Sequence, residues 1–260
     1  MNTCCAKASA VLESWKLFDK VESDIDSAEL DRRLETAAKT RQVADRGEFW
    51  KDVAIQSMEA EFMRGGVLVP RYIQNALENF EDEGIESGVA IDLGCGSGGM
   101  SLHLSNLGWK VIAVDNNETA LRVLQTTFDN FKRNANPRGS AECVHSSIED
   151  YEFPKNIRLI LAKDSLCYCD PSKLVTVWNR AFNALENGGR IVGDFFPQPY
   201  YQDVERTQRD LTGAWFTDMA TVRALLKPKY TIEHCAHSAC RISEPLLSEP
   251  RQIEFVGKKE

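Results

Sequence analysis

The chain has 260 residues, 43% hydrophobic and 27% charged, enough to bury a sizeable core as one domain with elaborations. A net charge of -8 disfavours broad attraction to phosphate backbones or anionic membranes, so neither nucleic acid nor membrane is an expected partner. The sequence has no apolar run of the ~18 residues that a spanning helix needs and no basic, apolar-centred leader in its opening residues. Its eight cysteines are scattered, which suits a reduced, cytoplasmic setting.

Residues 1–84 read as a helical N-terminal extension or lid. Asp26 followed by Glu29 resembles a capping box, after which Leu30 and Leu34 recur at helical spacing. Trp50, Ala54, Met58 and Phe62 form a second stripe, and Pro70 suits the first turn of a helix carrying Ile73, Leu77 and Phe80. From 85 to 260 the grammar changes to alternating strand and helix. "VAIDL" and "KVIAVD" are apolar runs suited to strands buried on both faces, with a helix between them that stops at Gly108. A helix over about 117–133 follows, then strands near "SAECVH" and "IRLILAK". Asp170 and Pro171 cap and open the next helix, which should stop at "NGG" before a strand "RIVGDFF". Thr217 is positioned to cap "DMATVRALL", and "YTIEHCAH" and "RQIEFVGKK" read as the last two strands. Units of this kind imply an α/β fold with a doubly wound, mostly parallel sheet.

Gly94, Gly96 and Gly99 satisfy G-x-G-x-x-G, and Asp115 stands at the end of the second strand. Glycines there admit a ligand close to the backbone, and a strand-end carboxylate accepts from ribose hydroxyls. Asp92, two residues before Gly94, would oppose a dinucleotide's pyrophosphate and suit an ammonium group, so the turn favours a zwitterion with a ribose.

"DLGCGSG", a helix, "VIAVD" and later "ENGGRIV" occur in an order that resembles the class I S-adenosylmethionine-dependent methyltransferases, over roughly Val89 to Lys258. The resemblance implies a seven-stranded Rossmann-like sheet and S-adenosylmethionine as cofactor, with S-adenosylhomocysteine as product. The continuation through "GGMSLHLSNLGWKVIAVD" is similar to the small-molecule branch, such as the tellurite-resistance and thiopurine-type enzymes. By motif position, Gly94, Cys95 and Gly96 would face the methionine portion, with Asp92 near its amino group. Asp115 would take the ribose and Asn116 would flank the adenine. Ser147 falls where the family commonly has an aspartate bonding the adenine amino group, with Ile148 beside the ring.

The fourth strand runs into Lys163 and Asp164, where relatives line the methyl-transfer site. An ammonium there repels a sulfonium unless it turns away, and Asp164 can offset it. Asp164 is the candidate general base, although it could equally serve as a partner to Lys163 or a cap, and many methyl transfers need none. Tyr200, Tyr201 and Trp215, in the insert after the fifth strand, are candidates to contact substrate or simply to pin a long loop. In "HCAHSAC", His234 and Cys235 would point to opposite faces of a strand and so cannot share one metal ion without a bulge. The expected activity is methyl transfer to a small molecule. A protein side chain as acceptor, a non-catalytic S-adenosylmethionine-binding scaffold and a dinucleotide oxidoreductase are the alternatives.

Overall fold

The computed structural model describes residues 24–41, 67–135, 137–197, 213–238 and 252–260. The stripe at Trp50 to Phe62, together with Tyr200 and Tyr201, lies outside them. Helices α1 (Ser27–Thr40) and α2 (Arg71–Asp82) precede the alternating part. Strand β1 (Val89–Leu93) leads to α3 (Gly99–Asn106), β2 (Lys110–Asp115), α4 (Glu118–Ala135), β3 (Ser140–His145) and β4 (Ile157–Ala162). A short 3-10 turn (Leu166–Tyr168), α5 (Pro171–Ala184), β5 (Leu185–Phe195), α6 (Met219–Leu226), β6 (Thr231–His237) and β7 (Ile253–Lys258) complete it.

The seven strands lie in the order β3-β2-β1-β4-β5-β7-β6. The first five are parallel, and β7 runs antiparallel to both β5 and β6. The apolar runs of β1 and β4 are buried on both faces, as central parallel strands require. On one face Ile160, Phe195, Phe255, Trp178 and Trp215 join Leu30 and Leu34 of α1 in a single core. On the other, Tyr72, Ile73 and Phe80 of α2 pack with Leu104, Leu159, Leu161 and Val192. The described parts of the N-terminal extension therefore bury their apolar stripes on opposite faces of the sheet.

Three local expectations are corrected. Asp26 does cap α1, accepting from the Glu29 N–H at 2.8 Å, but the Glu29 carboxylate pairs with Arg32 and Arg33. The cap of α6 is Asp218 and not Thr217, because its carboxylate accepts from the Thr221 N–H at 2.8 Å, whereas the Thr217 N–H bonds the Phe196 carbonyl. β5 starts at Leu185, so "NGG" lies inside the strand, with the Gly188 N–H bonded to the Lys259 carbonyl.

Arg190 on β5 is fully buried. It spans Glu233 of β6 with two 2.7 Å bonds, reaches Glu83 at 2.6 Å, and lies 4.4 Å from the Phe80 ring centroid. Its guanidinium and Lys258 hold the Glu83 carboxyl below the usual range. On the opposite face, Arg33 pairs with Asp218, and Arg41 donates to the carbonyls of Gly213 (2.6 Å) and Tyr168 (2.5 Å). These bonds tie the end of α1 to both loops beyond β4 and β5.

Candidate active site

The chain runs outward from β1 to β3 and then returns to β4 on the other side of β1, so the crevice at the carboxyl ends of β1 and β4 is the topological switch point. The glycine turn after Leu93 and the residues after Ala162 meet there.

The turn is organised by its own backbone. The N–H groups of Gly94 and Cys95 donate to the Val114 carbonyl at 2.8 and 3.0 Å, and the Gly98 N–H donates to the Cys95 carbonyl at 2.9 Å. Asp115 acts as a bracket: one oxygen accepts from the Gly96 N–H and the other from the Asn117 N–H, both at 2.8 Å. The N–H groups of Gly94, Cys95, Gly96 and Gly98 are thus all committed to the protein itself. Gly96 has φ +53°, and a Cβ there would meet nothing within 4 Å, so its backbone borders open space. Gly94 has φ +69°, and a Cβ on it would come within 2.4 Å of the Ser165 Cβ.

Asp92 is buried at the mouth of the turn, accepting from the Ser101 hydroxyl at 2.6 Å. Burial pushes its carboxyl up to about 6, against the pull of that hydrogen bond. Burial also raises the Asp115 carboxyl, opposed by its backbone donors, and pushes the Cys95 thiol up. Cys95 is thus an inert wall of the turn.

Asn116 is exposed, and its carbonyl lies 3.0 Å from His145 Nε2. The Ser147 hydroxyl donates to Asp150 Oδ2 at 2.8 Å and accepts from the Asp150 N–H at 3.1 Å, which closes a local turn and leaves one lone pair. Ile148 packs against the main core.

After β4, Lys163 turns to pair with Asp164. Burial works against its charge, but the attraction of Asp164, Asp194 and Asp92 outweighs this and raises its pKa. Asp164 sits in the left-handed region at φ +55°, with its side chain held by Lys163 and Gln252 and its N–H bonded to Asp194 Oδ1 at 3.0 Å. Asp194, on β5, is fully buried, and its other oxygen accepts from the Tyr72 hydroxyl at 2.7 Å. Burial, and then the charge of Asp164, raise the Asp194 carboxyl well above the carboxylate range. Neither Asp194 nor Tyr72 was singled out from the sequence. The available signal was "RIVGD", where Arg190, Val192 and Asp194 share one face of a strand too apolar to carry charges without partners.

Trp215 belongs to the core and not to a substrate wall, a correction to its expected place. It is 3% exposed, packs its ring at a tilt against Phe195 with centroids 5.3 Å apart and donates its indole N–H to the Leu166 carbonyl at 3.2 Å. His234 on β6 stacks on Tyr72, while Cys235 faces Met219.

A parallel core closed by an antiparallel seventh strand, with a glycine turn and a strand-end acid at its switch point, is the fold of the class I S-adenosylmethionine-dependent methyltransferases. Residues 90–189 match the family model of a methyltransferase domain. The fold is shared with an S-adenosylmethionine-dependent methyltransferase from Methanosarcina mazei at a TM-score of 0.59 and 18% identity, over 74% of this chain and 99% of that one. Magnesium protoporphyrin IX methyltransferase from Synechocystis PCC 6803, with S-adenosylhomocysteine bound, aligns at 0.55 and 15% identity over 90% and 96%. TehB from Haemophilus influenzae aligns at 0.54 and 15% over 72% and 62%. No curated protein matches the chain by sequence. No helix among the described residues is long and apolar enough to cross a membrane.

Magnesium protoporphyrin IX methyltransferase, which shares the fold, has also been solved with S-adenosylmethionine bound. The residues present in this chain fit that cofactor: the glycine backbone is open at Gly96, Asp115 is fixed beside it, and acidic groups line the side that would face an ammonium.

Proposed function

We propose that this enzyme methylates a small-molecule acceptor and that Asp164 receives the acceptor's proton. The observation that carries the proposal is the placement of Asp164. Its backbone is held in the left-handed region by the bond to buried Asp194, which in turn is held by Tyr72, at the strand end beside the cofactor turn. A non-glycine residue in that region costs about 1–3 kcal/mol, which surrounding bonds must offset, and such strain clusters at functional sites.

The bound cofactor supplies a methyl group on a positively charged sulfur. The protein's share is to align the acceptor, exclude water and take up a proton. Gly94–Gly96, Asp92 and Asp115 would hold the methionine and ribose portions. Lys163 and Gln252 orient the Asp164 carboxylate while leaving lone pairs for an acceptor O–H or N–H. A net charge of -8 and the grouping of Asp92, Asp115 and Asp164 near the strand ends disfavour a polyanionic acceptor. The magnesium protoporphyrin IX enzyme is an example of the fold serving a small acceptor.

The test is transfer of tritiated methyl from S-adenosylmethionine into a fractionated cell extract. Label in acid-soluble, organic-extractable products supports the reading, and label confined to precipitated protein or nucleic acid overturns it. With the labelled acceptor in hand, Asp164→Asn should cost about 100-fold in turnover if Asp164 is the base.

A further inference from the structure

We propose that Ser165 is a cofactor ligand, its hydroxyl hydrogen-bonding the amino-acid end of S-adenosylmethionine and so distinguishing the intact cofactor from truncated adenosyl thioethers. This rests on the assignment of the glycine turn as the cofactor site. Ser165 is 5% exposed, and its Oγ has no hydrogen-bond partner among the described residues. A buried hydroxyl without a partner is costly, and natural structures keep few of them.

Its position indicates what it serves. Ser165 begins the turn after β4, and a Cβ built on Gly94 would lie 2.4 Å from its Cβ and 3.2 Å from its Oγ. The hydroxyl therefore rests directly on the glycine turn. β1 is flanked by β2 on one side and β4 on the other. Asp115 grips the turn from the β2 side through Gly96, and that acid marks the ribose end. Ser165 meets the same turn from the opposite, β4 side through Gly94, close to Lys163 and Asp164, whose ion pair adjoins it. A ligand that places its ribose at Asp115 and crosses the turn brings its other end, the ammonium and carboxylate, to Ser165. A hydroxyl can donate to the carboxylate or accept from the ammonium. Ser101, the buried serine nearest in the sequence to the turn, is already committed to Asp92.

The experiment is calorimetric titration of the full chain and its Ser165→Ala variant with S-adenosylhomocysteine and with 5′-methylthioadenosine, which lacks the amino-acid end. Ser105→Ala is the control, because its hydroxyl is also buried without a partner but lies at the far end of α3. Loss of a hydrogen bond to a charged group predicts about tenfold or more weaker S-adenosylhomocysteine binding for Ser165→Ala. Methylthioadenosine affinity should be unchanged, and Ser105→Ala should bind both ligands as the parent does. Thermal unfolding of ligand-free Ser165→Ala should show a midpoint no lower than the parent's. Equal loss on both ligands, no loss on either, or a lowered ligand-free midpoint would each overturn the proposal, the last by showing that the hydroxyl serves the fold. A parent chain that binds neither ligand would instead overturn the cofactor-site assignment, and this proposal with it.

Discussion

Replacing Asp92 with Asn should remove a pH-dependent cost that the fold carries at its cofactor turn. The folded carboxyl titrates near 6 against an ordinary 3.8, mainly because it is buried. Between those values the native chain keeps a proton that the unfolded chain has released, so stability falls as pH rises through the window, and the deficit is complete above it. Integrated over the window, this comes to about 3 kcal/mol at neutral pH, since each pH unit is worth 1.36 kcal/mol. Asparagine keeps an oxygen for the Ser101 hydroxyl at 2.6 Å but cannot ionise. Urea unfolding of parent and variant at about pH 4.5 and about pH 7.5 isolates the effect, because titrating groups distant from Asp92 cancel in the difference. The variant should gain on the parent by about 2 kcal/mol between the two conditions, with most of the gain between about pH 4.5 and 6. A difference that stays flat to within about 0.5 kcal/mol would refute the reasoning and mean that water or a neighbouring cation solvates Asp92. The same substitution should weaken S-adenosylhomocysteine binding, because the charge facing the ammonium is lost.

Asp115→Ala should reduce S-adenosylhomocysteine affinity by about tenfold or more while the protein stays folded, since it removes both a ribose acceptor and the bracket on Gly96 and Asn117. Unchanged affinity in calorimetry would count against the cofactor map. Arg190→Met should destabilise by about 3 kcal/mol in urea unfolding, because it leaves Glu233 and Glu83 without their shared partner. A cost below about 1 kcal/mol would mean the network is cosmetic. Arg41→Ala should speed hydrogen exchange around residues 213–217 with little change in global stability. An equal rise throughout the core would mean that the clamp is part of the global fold.

Much of the framework is legible from periodicity and turn chemistry, because β1, β2 and β4 are apolar runs with unambiguous boundaries and Asp170 caps α5 as its sequence suggests. The places of the glycine turn and Asp115 are readable because the bonds that fix them lie within one strand-helix-strand unit. Asp194, Tyr72 and Arg190 are different. Each is defined by a partner more than 40 residues away, and no local pattern specifies which acid meets which phenol or guanidinium. Trp215 was misplaced because an aromatic in an insert reads alike whether it faces a ligand or fills a core. Only the carbonyl of Leu166 and the ring of Phe195 decide it. Caps fail in a similar way, since Thr217 and Asp218 are both good capping residues and a one-residue offset separates them.

The strand order also constrains how the sheet can be assembled. β7, the last strand in the chain, lies between β5 and β6, which do not pair with each other. During synthesis from the N-terminus, β5 would present an open apolar edge and β6 would have no neighbour until Ile253–Lys258 leaves the ribosome. The final strand works as a wedge driven in last. The aromatic packing of Phe255 on Phe195 and Trp178 can form only at that moment. Completion of this half of the domain is thereby tied to the emergence of β7, while the cofactor turn between β1 and β2 can be complete much earlier.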